Sequence, residues 1–378
     1  MDVLRIRVPE SFLVLRLYLY SFLNIIEASK EERDDYIILR GEDVSGAIID
    51  GLKTVVDILE ERRKQLEKLK LDMIPMSGKN DKAIFTKLCS EISCELNSLE
   101  IFEAYIDILK RKRLNDFKEG LEKPFSSKGY SLPSIFKLEL YGLTRGPLFK
   151  DGFSVDLKIR VSLDFFILLL AGYIISRIGR TRIEEGSWAS VHVLPLELAW
   201  SKSSWQILQN KLVGFWHGIR PADALIIYLI INLWDLLKDE PHNLLILTVS
   251  DPVGPKPAAI NSSLHAPLRD IYLRSKELLN YLLEEEWSKN ALLWLAGKAL
   301  DINFSNKKMA EKFVKLLFLS LQGDIRALEE LSLLSSRLEA SILMMKQRKD
   351  VDQELLSIAR DARKISGKIL SHIGRLGI

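Results

Sequence analysis

The chain has 378 residues, 47% hydrophobic and 28% charged, long enough for two or three domains with buried cores. With 54 basic and 51 acidic residues the net charge is only +3, which excludes a global basic field, so any nucleic-acid contact must come from local stripes. The two cysteines, Cys89 and Cys94, with no secretory signal layout at the start, argue against a disulfide framework or zinc site and for a reducing, cytoplasmic compartment.

Mean hydropathy is +0.05, high for a free-standing protein of this size. Either the core is large and rich in Leu and Ile, or other subunits cover part of the apolar surface. The longest apolar runs, 165–175 and 224–231, fall short of the roughly 20 residues that span a bilayer. Scarce Gln beside abundant Glu, Lys, Arg and Ile leans towards a thermophilic source.

In chain order, residues 3–8 alternate as a strand with Arg5 and Arg7 on one side. Pro9 opens an apolar helix to about residue 28, and residues 36–40 form a short strand. Asp43 or Ser45 caps a long helix to about residue 71, its second half highly charged. A loop through Pro75 and Gly78 leads to a helical stretch over 81–113, broken at most once. Residues 114–134 read as a loop, and 135–141 and 153–161 as strands of a hairpin around Gly146 and Pro147. A buried helix over 163–178, a strand over 187–194, a helix over 205–215 and a buried helix from Pro221 to about 238 follow. Residues 244–249 form an apolar strand that empties into the proline-rich loop 251–257. Helices are expected near 268–286, 289–300, 306–321, 325–348 and 351–373. Leu328, Leu331, Ser335, Leu338, Ile342 and Met345 step as a bundle seam. The fold class is α+β, predominantly helical. An irregular α/β body over 1–260 precedes an all-helical bundle over 261–378.

No catalytic, cofactor or metal motif is legible. None of His192, His217, His242, His265 and His372 lies three or four residues from another histidine. Gly186, Ser187 and Trp188 lie outside any nucleophile-elbow frame, and Gly254 sits in a proline-rich loop rather than a phosphate cradle.

Basic clusters remain. Lys110, Arg111, Lys112 and Arg113 end a helix, where cations favour the dipole. Arg62, Arg63, Lys64, Lys68 and Lys70 mix with Glu60, Glu61 and Glu67 and read as a solvated face. Arg177, Arg180 and Arg182 follow a buried helix in a presumed loop with no acid before Glu184; they either grip phosphate oxygens or do nothing specific. Lys256, the only charge between Asp251 and Arg269, is either presented stiffly to a duplex or part of an exposed connection.

The last helix carries the strongest signal. Asp350 and Gln353 make a start signal, and Leu355, Ile358, Ala362, Ile365 and Ile369 share one face. Arg360, Arg363, Lys364 and Lys368 share the opposite face within roughly 140° of arc. Lys346, Arg348 and Lys349 extend this stripe, and Gly374 is expected to end the helix before Arg375. Such a helix docks on a bundle and shows a basic face to a polyanion.

The stretches WASVHVLP (188–195), GIRPADALIIYLIINLW (218–234) and NLLILTVSDPVGPKP (243–257), with the closing all-helical segment, resemble the large subunit of an archaeal type I-A CRISPR interference complex (Cascade). The resemblance implies a non-enzymatic subunit near the foot of a guide RNA. It implies recognition of the motif beside the target DNA, help in duplex opening, and a helical C-terminal part along the displaced strand. Other complex subunits and a helicase-nuclease are the implied partners. Guide pairing supplies sequence specificity in such complexes, while protein reads only the adjacent motif and the backbone. Two rivals stand beside it: a structural adaptor without nucleic-acid binding, and an enzyme whose site is assembled from scattered Asp, Glu and His.

Overall fold

The computed structural model describes residues 2–8, 13–66, 73–76, 78–138, 159–182, 188–213, 219–253, 256–345 and 352–376. The fold is α+β and predominantly helical, as the periodicity predicts. It divides into two compact units. Unit 1 comprises Met1–Arg180, Glu184–Phe215 and Leu244–Ser263; unit 2 comprises Thr181–Ile183, Trp216–Asn243 and Leu264–Ile378.

Unit 1 begins with β1 (Asp2–Arg7), α1 (Leu13–Leu23), β2 (Ser29–Arg33) and β3 (Tyr36–Gly41). The strands form an antiparallel sheet in the order β1-β3-β2, with Asp2 opposite Gly41 and Ser29 opposite Arg40. β2 has the sequence SKEER and no apolar residue, so no alternation betrays it. Its backbone pairs with β3 while its charges guard the sheet edge; Glu31 holds Arg33 and Arg40 at 2.6 and 2.8 Å.

α2 (Val44–Leu66) is capped by Asp43, whose Oδ1 accepts from the Gly46 amide at 2.8 Å. α3 (Lys79–Ile92) and α4 (Ser98–Arg111) are the two halves of the stretch expected over 81–113, separated by Ser93 in the left-handed conformation. The expected loop over 114–134 is instead α5 (Leu114–Glu122) and β4 (Phe125–Ser131). Phe117 and Leu121, one turn apart, give α5 its buried edge. The expected hairpin is also corrected where it can be followed: 134–136 is a 3-10 turn, and β4 pairs with β5 (Arg160–Val161). Residues 139–158 lie outside the described part.

α6 (Leu163–Ser176) is buried from Asp164 to Ser176. It has no polar face, so it must be wrapped on all sides, and α1, α2, α5, β4 and β7 do so. α1 approaches so closely that a Cβ on Gly172 would overlap the Tyr18 carbonyl oxygen. At the start of α6, buried Asp164 accepts from Tyr105 Oη at 2.7 Å and Lys112 Nζ at 2.6 Å. Lys112 therefore neutralises a buried acid rather than only facing a helix dipole.

β6 (Arg177–Arg182), β7 (Trp188–Pro195), β8 (Leu244–Ser250) and β9 (Ala259–Ala266) form a four-stranded sheet in that order. β7 and β8 are antiparallel, with Ala189 opposite Ser250 and Pro195 opposite Leu244. Residues 177–182, expected as a loop, are thus a strand. β9 escaped the sequence because its polar run Asn261, Ser262, Ser263 shows no apolar alternation. α7 (Lys202–Leu212) completes the unit.

Unit 2 contains α8 (Ala222–Asn232) and α9 (Trp234–Asp239), followed by α10 (Leu268–Leu283), α11 (Glu286–Leu300), α12 (Lys307–Leu321), α13 (Ile325–Met345) and α14 (Gln353–Leu376). α11 packs on α8, α12 and α14, and α13 packs on α12 and α14. On α13, Leu328, Leu331, Ser335 and Ile342 are buried and Leu338 is half-buried. No described helix is long and apolar enough to cross a membrane.

Gly172→Ala is expected to destabilise unit 1 by about 3 kcal/mol, because the new methyl meets backbone that cannot rotate away; urea unfolding measures it. A second expectation concerns His192, fully buried with Nδ1 2.9 Å from Ser176 Oγ and its ring 4.6 Å from that of Tyr173. Burial, reinforced by Arg177, holds its pKa well below the usual histidine range. The unfolded chain takes up a proton here below about pH 6.5 that the folded chain refuses, so stability present above that pH is lost as pH falls, by up to about 1.4 kcal/mol per unit. His192→Gln should show a shallower loss of stability on acidification than the parent.

Candidate nucleic-acid interface

The basic residues singled out by sequence fall into distinct environments. Arg177 is only 4% exposed; it donates to the Met73 carbonyl and lies 3.7 Å from Asp251. Arg62, expected on a solvated face, is 6% exposed and donates to the carbonyls of Ile174 and Arg177 at 2.9 and 2.7 Å. These are carbonyls at the buried end of α6, which need donors. Burial, then the charge of Arg177, lowers the Arg62 pKa to about 10. Both guanidiniums are therefore committed to the interior, and Arg177 is not available to a phosphate.

Arg180 is partly exposed and is held by Asp251 at 2.5 Å, while the other oxygen of that carboxylate accepts from Ser190 Oγ at 2.7 Å. Arg182 ends β6 exposed, with no ion pair among the described residues.

Asp251 opens the loop expected to present Lys256, and the loop is stitched at several points. Pro252 lies against Gly78, where a Cβ would stand 2.9 Å from the proline Cβ. Val253 and Lys256 exchange two backbone hydrogen bonds of 3.1 and 3.0 Å, closing a tight turn. At the far end the Ala258 amide donates to Ser134 Oγ at 3.1 Å, and that hydroxyl donates to Asp81 Oδ2 at 2.5 Å. Lys256 is exposed on this turn and makes no ion pair among the described residues. Three anchors to different elements, at Asp251, Pro252 and Ala258, thus hold the described ends of a segment whose own sequence specifies no regular structure.

The same stitching brings the loop against the first turn of α3, which carries Lys79 and Lys82. Sequence reasoning missed these lysines because Asp81 lies between them as an apparent partner. Asp81 is 4% exposed and turned inward, accepting from the Ser134 amide at 2.9 Å as well as from its hydroxyl. Lys79 and Lys82 are left exposed without an ion pair among the described residues. The legible signal was the helical spacing itself: Asp81 shares a buried face with Phe85 and Leu88, and the lysines do not.

In unit 2, Asp352 caps α14: its Oδ1 accepts from the Leu355 amide at 3.0 Å. Asp350 and the candidates Lys346, Arg348 and Lys349 lie outside the described residues. Gly374 does not end α14, which runs to Leu376, so Arg375 lies within the helix. The predicted apolar face is correct: Ile358, Ala362, Ile365 and Ile369 are buried and Leu355 is half-buried.

The basic face is more divided. Arg360 Nε and Arg363 Nε share one carboxylate, Glu339 of α13, at 3.1 and 2.7 Å, while both side chains stay about half exposed. Lys364 is exposed. Lys368 is not opposite the apolar seam but buried, 7% exposed at its side chain, with Nζ 3.2 Å from Glu285 Oε1 in an ion pair without hydrogen-bond alignment. Its ammonium lies 5.0 Å from the Tyr281 ring centroid and 5.6 Å from that of Trp287. Lys368 joins α14 to α10 and α11, and is not a surface cation.

Lys368→Gln is expected to lower the stability of unit 2 by about 1–3 kcal/mol, through loss of a desolvated cation–π contact and a charged partner. Lys364→Gln should leave it unchanged within about 0.5 kcal/mol. Denaturant melts of the two variants separate the roles.

Among the described residues, no three His, Cys, Asp or Glu side chains gather as a metal site would require. No curated protein matches the chain. The model of the family described as CRISPR-associated protein, CsaX matches residues 45–339, and the chain therefore belongs to the CsaX family of CRISPR-associated proteins.

Proposed function

We propose that this CRISPR-associated protein is a non-catalytic large subunit of a type I-A CRISPR-guided surveillance complex acting in the cytoplasm. In this reading it works beside guide RNA and target DNA with other complex subunits and a helicase-nuclease, and contributes to recognition of the target-adjacent motif, duplex opening and displaced-strand binding. The subtype comes from the sequence resemblance. The observation that carries the molecular part is the stitched segment bearing Lys256: anchors at Asp251, Pro252 and Ala258 hold the backbone on either side of an exposed cation that makes no ion pair among the described residues. Arg180 and Arg182 in β6 and Arg360, Arg363 and Lys364 on α14 are further candidate contacts, with Asp251 offsetting Arg180 and Glu339 part of the α14 charge, and Lys346, Arg348 and Lys349 stay in the proposed set. Arg177 and Lys368 are withdrawn from the contact set because they are buried.

A structural adaptor without nucleic-acid binding is favoured by one specific observation. Leu333 and Met344 on α13 are 57% and 77% exposed, apolar surface of the kind another subunit covers.

The two readings separate in a titration of the intact complex with duplexes that differ only in the motif beside the target. Lys256→Gln is expected to reduce discrimination between motifs by about 1–3 kcal/mol if the lysine reaches base edges. A uniform loss across motifs would assign it to the backbone instead. If the parent complex bound no nucleic acid through this subunit at any salt concentration, the adaptor reading would replace the proposal.

A further inference from the structure

We propose that the exposed face of α3 is a track for a sugar–phosphate backbone, gripped by charge without base reading. The ligand being nucleic acid rests on the function proposed above; the surface is a separate one.

A shallow groove of about 610 Å³ runs along this face, lined by Lys79, Lys82, Thr86, Lys87, Ser90 and Glu91. From Lys79 to Lys87 the helix rises about 12 Å. The three lysines are therefore spread along one side of the helix rather than gathered in one turn, which suits a chain of phosphates better than a single anion. Thr86 and Ser90, one turn apart, add hydroxyl donors along the same line.

The acids that could cancel this charge are engaged elsewhere or weakly held. Asp81 is turned into the core against Ser134. Glu91 meets Lys87 at 3.5 Å across an exposed helical turn and also accepts from Tyr130 Oη. An exposed pair of that kind is worth only a few tenths of a kcal/mol, so a phosphate can displace it. Counting Lys79, Lys82 and Lys87 against Glu91, the face carries a surplus of two positive charges.

Among the described residues the face offers no platform for bases. The Tyr130 ring is 9% exposed and has Lys87 Nζ 5.6 Å from its centroid. With neither an exposed aromatic ring nor a guanidinium fork among its described lining residues, the groove offers neither stacking nor bidentate base readout. Its ligand preference must then be independent of sequence. The stitched turn that carries Lys256 abuts the start of α3 at Gly78, so the track begins where the candidate motif contact ends.

The test uses the intact complex, a fluorescent mixed-sequence single strand, and titrations between about 50 and 200 mM salt. The combined variant Lys79→Gln, Lys82→Gln, Lys87→Gln should bind roughly tenfold or more weakly at the low end. Its plot of log affinity against log salt should be shallower by about 2, from three contacts at about 0.7 each. The loss should be equal for unrelated sequences, and replacing all three lysines by arginine should restore the slope. Thr86→Glu should also weaken binding, with thermal melts confirming that each variant is folded. An unchanged slope in the glutamine variant would overturn the track while leaving the Lys256 contact standing. Inorganic phosphate competing better than chloride at matched ionic strength would overturn it in favour of a single-anion site. A parent complex with no salt-sensitive binding would overturn both this inference and the function on which it rests.

Discussion

A helix without a polar face constrains most of unit 1. α6 cannot lie on a surface, so five neighbouring elements cover it, and one of them requires glycine at 172 to come close enough. Burial of the helix also buries its ends, whose backbone groups then need partners from the protein. Ser162 Oγ accepts from the Phe165 amide at the first turn, where Tyr105 and Lys112 also satisfy the buried Asp164 carboxylate. Arg62 serves the last, at Ile174 and Arg177. Two arginines that look like surface cations are thereby drawn inside, because a guanidinium can donate to several carbonyls at once.

That demand organises the neighbouring surface. Arg177 and Arg180 converge on Asp251, the residue that opens the Lys256 loop. The loop closes on Ser134, which in turn engages Asp81 of α3. The chain of contacts runs from a buried helix end, through one carboxylate, to a turn and the first turn of another helix. It leaves Lys256, Lys79 and Lys82 outside and the acids inside. A nearly neutral protein obtains a local positive surface in this way by turning Asp81 and Asp251 inward rather than by adding bases.

Unit 2 shows the opposite outcome on a helix that looks more basic. On α14, Glu339 answers two arginines, and Glu285 with two aromatic rings answers Lys368. The stripe is continuous in sequence and discontinuous in charge. Its position was legible because a 3.6-residue period reports which side faces a bundle; its partners were not, since they come from α10, α11 and α13.

The sequence by itself determined the periodic elements: the bundle helices, the apolar face of α14, the helix α6 without a polar face, the strands β1, β3, β7 and β8, and a likeness to CRISPR interference subunits. Elements without an apolar period, β2, α5 and β9, escaped it because backbone pairing or one packed edge forms them, not alternation. Only the tertiary structure decided which charges remain available to a ligand. Asp81 beside Lys82, and Arg177 near Arg180, are equivalent as neighbours in a string. Whether each faces water, a carbonyl or a carboxylate depends on residues 53 to 104 positions away, and local spacing carries no record of those.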